Sequence, residues 1–381
     1  MTKEKSMTFE SPAFAEDEIL RQSPGLPKVI STSAGRSTSD FLAQVEANKT
    51  ELRKQLASHG ALLFRKCGMN TTEDFHRLLE GLQIDPCDPN HYYGEVMRAA
   101  TGDNVMEPTL VPPDLVIAPH NESAFWYKQP EYISFFCQET NALAGQTPII
   151  NCAKVAADFA PELREKLLQS SAVNEYVFDD LHSNKTLVKG QKRNTWQVAF
   201  QTSEREAVEA IAAERNDVEL LWRKSGALHI KIKSAVFVTH PTTGELCFRA
   251  MRAFDFANVK YMLEEFAKDQ MPYHKYLSSK SIIGLSSWLT GNNLIEHQKY
   301  SWKTTIENGP ELTPEESACV TETLFKHATI FRWHPEDVLV IDNVKAAHGR
   351  LNVDAKRVIH VFMSKYIDQK TIMVPAAEAT L

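Results

Sequence analysis

Short apolar runs, separated by turns that contain proline or glycine, dominate the sequence from about residue 110 onward. The clearest are LeuValIleAlaPro (115–119), TyrIleSerPhePheCys (132–137), ThrProIleIleAsn (147–151) and the apolar parts of 331–343 and 357–366. Apolar runs of this length, bounded by turn residues, are typical of buried strands. The sequence therefore predicts a mixed α/β, β-rich fold whose core is built of strands.

Helices and one hairpin are predicted around this core. Residues 229–234 alternate apolar and polar side chains, and ThrThrGlyGlu (242–245) supplies a turn before LeuCysPheArg, which predicts a β-hairpin. Apolar residues at helical spacing predict helices at 40–58 with Ser39 as the N-cap, near Thr72, at 153–169, at about 204–224 and at 314–326. We expect these helices to pack outside the strands.

The domain organisation follows from where these patterns begin and stop. Residues 1–38 are polar and show no periodic pattern, so we interpret them as an N-terminal arm. Residues 39–381 contain no internal repeat and no low-complexity linker, which favours a single domain. Within it, about 170–225 is interpreted as a helical insertion, and LeuHisSerAsnLysThr (181–186) as a lid over the substrate.

Composition and charge exclude several classes of protein. The chain has 381 residues and is 43% hydrophobic and 24% charged, so it can bury a large core. Its net charge of −7, with no long basic run, disfavours binding to nucleic acid. No stretch approaches the roughly 18–20 apolar residues of a membrane span, and no apolar run follows the first lysines as in a secretory signal. Six cysteines without a Cys-x-x-Cys pair indicate buried free thiols and a cytoplasmic location.

Two polar segments that follow strands carry the candidate chemistry. The first is Pro119-His120-Asn121-Glu122, and the second is Asp342-Asn343-Val344-Lys345-Ala346-Ala347-His348. Residues i and i+2 of a strand project to the same face, so His120 and Glu122 can reach one ion. His348, on a neighbouring strand, would complete a face of three ligands. Two histidines and one carboxylate are the arrangement of non-haem Fe(II) oxygenases, although His-x-Glu alone also fits an ordinary polar loop.

A cosubstrate site accompanies these three residues. The far carboxylate of 2-oxoglutarate requires an arginine, because guanidinium binds carboxylate bidentately. Arg357 lies nine residues beyond His348 at the start of the next predicted strand, and Thr147 could donate a hydroxyl hydrogen bond to the same carboxylate.

Here the sequence resembles the Fe(II)/2-oxoglutarate taurine dioxygenase family, within the clavaminate-synthase-like group. The resemblance spans about 50–370 and rests on the order and spacing of GlyAlaLeuLeuPheArg, ProHisAsnGlu, IleSerPhePheCys, GlyGlnThrProIle, ThrTrpGlnValAlaPheGlnThr, HisProThrThrGlyGlu and AspAsnValLysAlaAlaHisGlyArg. It implies a double-stranded β-helix (jelly-roll) barrel, with iron on His120, Glu122 and His348. It further implies that 2-oxoglutarate binds Thr147 and Arg357, and that O2 is the second cosubstrate.

This chain departs from the family pattern at two places. Glu122 stands where many members have aspartate, and the hairpin continues with Arg249 and Arg252 where similar proteins often have Phe-Asn. The resemblance implies a small, amino-acid-derived substrate that undergoes hydroxylation, or oxidative cyclisation or desaturation. Two arginines near the barrel mouth of an acidic protein predict that this substrate is anionic. The candidate substrate contacts are Asn121, His182, Arg249 and Arg252.

Two other functions use some of the same residues. A zinc-dependent hydrolase also suits two histidines and a glutamate, but the sequence lacks the His-Glu-x-x-His spacing on a helix, and Thr147 and Arg357 would have no role. A non-catalytic sensor or binding protein with the same barrel would keep the site without turnover. The sequence leaves the oligomeric state open.

Overall fold

Two large β-sheets face each other in the computed structural model, which describes residues 9–32, 37–87, 100–102, 105–106, 113, 115–182, 186–188, 191–192, 195–251, 256–291, 302–307 and 312–372. The five-stranded sheet has the order β1 (Ile19–Arg21), β18 (Ala328–Phe331), β9 (Thr147–Asn151), β20 (Ala346–Arg350) and β6 (Ile117–His120). The seven-stranded sheet has the order β2 (Lys28–Ile30), β3 (Ala61–Phe64), β19 (Val338–Asp342), β8 (Tyr132–Thr140), β21 (Arg357–Met363), β5 (Val105–Met106) and β4 (Ala100–Gly102). The strand pairs in both sheets are antiparallel except β2–β3.

Smaller sheets surround this pair. A four-stranded antiparallel sheet has the order β13 (Val218–Trp222), β14 (Leu228–Ala235), β10 (Ser171–Phe178) and β17 (Trp302–Glu307). The two-stranded sheets are β11 (Thr186–Val188) with β12 (Gln191–Lys192), β15 (Phe237–Thr239) with β16 (Leu246–Phe248), and β22 (Tyr366–Asp368) with β7 (Lys128–Pro130).

Helices pack on the outer faces of the two large sheets, and two short ones pack on the four-stranded sheet. The helices are α1 (Thr38–Ala47), α2 (Lys49–His59), α3 (Thr72–Gly81), α4 (Cys152–Asp158), α5 (Pro161–Leu168), α6 (Trp196–Phe200), α7 (Arg205–Ala213), α8 (Phe256–Met262), α9 (Tyr273–Gly291) and α10 (Pro314–Lys326). Buried side chains of α1, α2 and α3 pack on the seven-stranded sheet, those of α4, α5, α8 and α10 pack on the five-stranded sheet, and those of α6 and α7 pack on the four-stranded sheet. Among the described residues, no helix has the length and apolar character that crossing a membrane requires.

The space between the two sheets is filled by apolar side chains from both. Ile133, Leu339 and Val361 of the seven-stranded sheet contact the same buried cluster as Ile149 and Phe331 of the five-stranded sheet. Because the two inner faces bury their residues against each other, a polar group between the sheets needs a specific partner. The candidate site lies at one edge of this interior, where β6 ends.

Much of the expected secondary structure is confirmed. The mixed α/β, sheet-rich class is correct, as are the strands at 132–137 and 147–151, and α10 has the predicted bounds. The turn at 242–245 and the strand after it are confirmed as part of a hairpin, but its first strand is β15. Residues 229–234, which were predicted as that strand, belong to β14 and pair with β10 and β13. All six cysteines are free thiols, and five of them are buried.

Two long helices were predicted where the structure has pairs of shorter ones. The first is broken at Asn48, whose side chain donates to the Gln44 carbonyl oxygen and so competes with the helical backbone. Its N-cap is Ser37, which accepts from the Asp40 amide, so the prediction of Ser39 was wrong. The second is broken before Pro161, because the residue before a proline is driven out of the helical region.

The prediction of a helical insertion was wrong. Helix α7 ends at Ala213, and residues 218–222 form strand β13, which pairs with β14 along its whole length. These two strands form a four-stranded sheet with β10 and β17, so the region of about 170–225 contains strands as well as the two short helices α6 and α7. Only Val218 and Trp222 of the segment 218–222 favour strands by themselves, so pairing with β14 decides its conformation.

The segment interpreted as an arm contributes to both large sheets. Strand β1 pairs with β18, and β2 pairs with β3. Leu26 and Ile30 are both almost fully buried. A short apolar segment with no period of its own can still fill an edge position of a sheet, and that is what residues 19–30 do.

Candidate active site

The register of two strands brings the two histidines together. His348 of β20 lies directly opposite His120, the last residue of β6, and their ring centroids are 4.6 Å apart. Residues directly opposite each other in an antiparallel pair project to the same face of the sheet. Two histidines separated by more than two hundred residues therefore point to one place.

Glu122 completes the cluster from the turn that follows β6. Its Oε2 lies 3.9 Å from His120 Nε2 and 3.8 Å from His348 Nε2. One ligand atom from each of the three residues lies within 4.8 Å of the others. The three ligand atoms therefore surround one point that a single ion could occupy. Glu122 and His348 are buried, so in this position an ion would be largely shielded from solvent.

The tautomer of His120 suits a metal ligand. Its Nδ1 is 2.9 Å from the carbonyl oxygen of Ala118, which can only accept a hydrogen bond, so Nδ1 carries the proton. The lone pair is then on Nε2, the atom that faces Glu122. A backbone carbonyl behind a metal-ligating histidine is a common way to fix its orientation. The residues present therefore fit a divalent metal ion.

Asn343 positions Glu122, and sequence reasoning missed this role. Its Oδ1 accepts from the Glu122 amide at 2.7 Å, and its Nδ2 donates to the carbonyl oxygens of Glu122 and Pro130 at 3.0 and 2.9 Å. The Asn343 side chain thus makes the hydrogen bonds that a neighbouring strand would otherwise make to the turn that carries Glu122, called the ligand turn below. Asn343 is fully buried and precedes the strand of His348 in the segment already singled out, so its position in that segment was the available signal.

The Asn121 side chain, between the ligands His120 and Glu122 in sequence, hydrogen-bonds to the protein backbone. Its Nδ2 donates to the Asn343 and Ala346 carbonyl oxygens at 2.8 and 3.3 Å, and its Oδ1 accepts from the Ala250 amide at 3.0 Å. These contacts tie the ligand turn to β20 and to the segment after β16. They are contacts of a structural residue, so the prediction that Asn121 contacts substrate gains no support from them.

Thr147 lies on the same face of the five-stranded sheet as the two histidines. Ile149 is directly opposite His348, and Thr147 is two residues before it on β9. The Thr147 hydroxyl oxygen accepts from the Trp333 indole N–H at 3.0 Å, which leaves its own proton free to donate.

Arg357 approaches the same region from the seven-stranded sheet. Its guanidinium donates to the carbonyl oxygen of Gly145, two residues before Thr147. Burial lowers the pKa of Arg357 to about 10, and the neighbouring Arg350 guanidinium also lowers it. Within the described part of the chain, no carboxylate forms an ion pair with Arg357. A desolvated cation of this kind favours an anionic ligand.

Arg350 ends strand β20, two residues after His348. Its Nη2 donates to the carbonyl oxygen of Leu115 at 3.1 Å, and burial lowers its pKa to about 10.

Of the remaining candidate substrate contacts, the structure describes Arg249 and His182. Arg249 is buried, and its guanidinium donates to the Gln369 and Gln129 side chains and to the Ala124 carbonyl oxygen, so these contacts do not support a substrate clamp. The His182 side chain is exposed, while its amide donates to Asp180. Arg252 and much of the expected lid lie outside the described residues.

Comparison with known proteins identifies the family of this chain. The model of the family "Taurine catabolism dioxygenase TauD, TfdA family" matches residues 22–363. The dapdiamide synthesis protein DdaC of Enterobacter agglomerans is 24% identical over 339 residues, which cover 88% of this chain and 91% of that protein. A clavaminate synthase-like protein of Arabidopsis thaliana is 22% identical over 321 residues, 83% of this chain and 85% of that protein.

Two solved structures resemble this chain at lower sequence identity. The structure of AAD-2 in complex with Mn(II) and N-oxalylglycine has a TM-score of 0.48 and 11% identity, over 94% of this chain and 97% of that one. PvcB, an Fe, alpha-ketoglutarate dependent oxygenase from an isonitrile synthetic pathway, has a TM-score of 0.46 and 11% identity, over 91% and 89%. Since the family model matches nearly the whole described body, this chain belongs to the taurine catabolism dioxygenase TauD, TfdA family and is an Fe(II)- and 2-oxoglutarate-dependent dioxygenase.

Proposed function

We propose that this enzyme binds Fe(II) through His120, Glu122 and His348 and oxidises a C–H bond of a small, amino-acid-derived molecule in specialised metabolism. The observation that carries the proposal is the convergence of these three side chains within 4.8 Å. Two histidines and one carboxylate leave coordination positions open, as a non-haem oxygenase needs. A structural zinc site would instead be closed by a fourth protein ligand.

Thr147 and Arg357 are proposed to bind 2-oxoglutarate. The Arg357 guanidinium donates to the carbonyl oxygen of Gly145, which lies two residues before Thr147. Arg357 also carries a buried positive charge that has no carboxylate partner among the described residues. The far carboxylate of the cosubstrate would pair with that guanidinium and accept from the Thr147 hydroxyl. When bound, the iron with 2-oxoglutarate and O2 supplies the oxidising chemistry that cleaves an unactivated C–H bond.

The residues of this chain supply position and a dry environment for that chemistry. The Phe135 ring of β8 lies 5.1 Å from the His348 ring and covers it from the seven-stranded sheet. Asn343 and Asn121 hold the Glu122 turn against β20. These hydrogen bonds fix the orientation of the Glu122 carboxylate. The open coordination positions of a bound ion would therefore keep one direction relative to the protein.

The substrate class is supported by the curated relative and by charge. DdaC is a dapdiamide synthesis protein by name, which favours a biosynthetic role over catabolism. A carboxylate-bearing substrate was predicted from Arg249 and Arg252. Since Arg249 donates to three oxygens of the protein itself, that part of the proposal depends on Arg252, with His182 and Asn121 as further candidates. Hydroxylation, cyclisation and desaturation remain the alternative outcomes.

The proposal includes a fold and a location. We infer that the five- and seven-stranded sheets form a double-stranded β-helix barrel within a single domain of residues 39–381, preceded by the segment 1–38 and carrying the region 170–225 as an insertion and lid. The opposed inner faces of the two sheets support this. Free thiols at all six cysteines support a cytoplasmic enzyme.

Aerobic incubation with Fe(II), 2-oxoglutarate and candidate substrates tests the proposal, with succinate as the readout. Each amino acid or peptide is supplied as the free acid and as its amide, so that the pair separates an anionic from a neutral preference. The mass of the product distinguishes hydroxylation, which adds one oxygen, from cyclisation or desaturation, which removes two hydrogens. Turnover with Zn(II) and without 2-oxoglutarate would instead establish the hydrolase.

A further inference from the structure

Arg249 occupies a buried junction next to the metal-ligand turn. It is 3% exposed and follows strand β16. Its Nη2 donates to the Ala124 carbonyl oxygen at 2.6 Å and to Gln129 Oε1 at 2.7 Å, while its Nη1 donates to Gln369 Oε1 at 2.8 Å. One guanidinium therefore joins the ligand turn, β7 and the segment after β22.

The partners of Arg249 are themselves tied to the same turn. Gln369 donates through its Nε2 to Ala124 and through its backbone amide to the Tyr127 carbonyl oxygen. Gln129 lies on β7 opposite Ile367 of β22. Both glutamines are 1% exposed, so their oxygens have no access to water if the guanidinium is removed.

This junction lies two residues beyond Glu122. Asn343 holds the turn at Glu122 itself, and Arg249 holds it at Ala124. Between them Ser123 has a positive φ of 55°, a conformation that a non-glycine residue keeps only when its surroundings enforce it. Two fixed points on either side of a strained residue leave the carboxylate little freedom to move.

We propose that Arg249 is a positioning residue of the metal site, which fixes the Glu122 turn through Ala124 and does not bind substrate. This inference rests on the proposed metal-binding role of Glu122. Arginine is required because its planar fork reaches three oxygens at once, whereas a lysine ammonium is a single point on a flexible stem. Among the described residues, no carboxylate lies within hydrogen-bond distance of the Arg249 guanidinium. Its three hydrogen bonds to neutral oxygens, and not an ion pair, therefore explain why an arginine occupies this position.

Metal titration of the full-length apo-protein tests the proposal without substrate. Mn(II) serves as the redox-stable probe, and its free concentration is followed by electron paramagnetic resonance. Loss of an outer-shell partner typically weakens metal binding by about 10–100-fold, so R249Q should fall in that range and R249K should recover part of the loss. The Co(II) absorption spectrum of R249Q should also differ from wild type, because it reports ligand geometry.

R65Q is the matched control. Arg65 is 5% exposed and donates to a backbone carbonyl oxygen, that of Arg332, but its other partners are Asp337 and Glu18, away from the ligand turn. The R65Q variant should be less stable than wild type but keep its Mn(II) affinity to within about threefold. That change is well below the one expected for R249Q. Equal weakening in R65Q and R249Q would show a general loss of stability and overturn the proposal.

Two further outcomes separate this inference from the proposed function. Wild-type Mn(II) affinity in R249Q, together with a raised KM for substrate, would make Arg249 a substrate clamp and overturn the positioning role. Wild-type Mn(II) affinity in H348A would instead show that the metal site itself is misassigned. If R249Q does not fold, R249K and Q369A are titrated in its place, and wild-type affinity and Co(II) spectra in both would refute the role.

Discussion

Gly349→Ala is expected to damage the metal site by separating the two strands that carry its histidines. A Cβ at position 349 would lie 2.6 Å from the Ile117 carbonyl oxygen, 3.1 Å from the Pro119 nitrogen and 3.2 Å from the Ala118 carbonyl carbon. All three are backbone atoms of β6, so no side-chain rotation can relieve these contacts. The alanine can be accommodated only if β20 and β6 move apart.

The required movement can be estimated from these contacts. Reaching the 3.0 Å limit of observed contacts takes 3.0 − 2.6 = 0.4 Å, and reaching ordinary contact at 3.4 Å takes 3.4 − 2.6 = 0.8 Å. A functional constellation tolerates displacements of about 0.5 Å. Because His348 is the adjacent residue and pairs with His120, we expect Mn(II) binding to weaken by roughly tenfold or more, and overpacking to cost about 1–3 kcal/mol of unfolding free energy.

Gly284→Ala is the control for this prediction. Gly284 lies in helix α9 with no atom within 4 Å of its added Cβ, and alanine in a helix is favoured over glycine by about 0.5–1 kcal/mol. Mn(II) titration and denaturant unfolding are measured for both variants. Wild-type metal affinity and an unchanged unfolding midpoint in Gly349→Ala would refute the argument that the close approach of β20 to β6 sets the site.

Three further predictions concern Arg357, Asn343 and Asp368. Arg357→Ala leaves a cosubstrate carboxylate unpaired, which costs about 2–5 kcal/mol, so the apparent 2-oxoglutarate affinity should fall by roughly 30-fold or more in a succinate assay; an unchanged response moves the anchor to another residue such as Arg350. Asn343→Ala removes three buried hydrogen bonds and should lower the unfolding free energy by at least about 1–3 kcal/mol and weaken Mn(II) binding, and equal values for variant and wild type would contradict its role. Burial raises the pKa of Asp368, but hydrogen bonds, chiefly from the Arg215 side chain, lower it below 3.8 overall. Its folded-state pKa is thus depressed, so the stability it contributes is present above the unfolded pKa and is lost as pH falls below about 4. The stability difference between wild type and Arg215→Gln should shrink in that window, and a difference constant down to pH 2 would count against it.

The candidate site could be proposed from sequence because its chemistry is local in part. His120 and Glu122 are two residues apart after an apolar run, and strand geometry alone puts them on one face. His348 could be suggested from its position in a second polar segment after a strand, and the resemblance to a family supported it, because no periodic pattern reveals which distant strands are neighbours. The register that places His348 opposite His120 became visible only in the structure.

Other features escaped prediction for identifiable physical reasons. Arg249 looked like a surface or substrate-facing cation because sequence does not show burial, and its three acceptors come from two distant segments. ValGluLeuLeuTrp was included in a helix because a five-residue segment with four apolar residues is too short to distinguish helical from strand periodicity, and its strand conformation comes from pairing with β14. Asn343 was noticed only as part of a motif, because hydrogen bonds to the backbone of another segment leave no trace in composition.

The most direct test of the account is 2-oxoglutarate decarboxylation by His348→Ala beside wild type and a matched histidine variant, His229→Ala. His229 lies on β14 and pairs with Glu175 outside the ligand cluster. We expect His348→Ala to keep a folded structure but to lose tight Fe(II) binding and succinate formation, while His229→Ala retains both. Succinate formation by His348→Ala at the wild-type rate would contradict the assignment of the metal site.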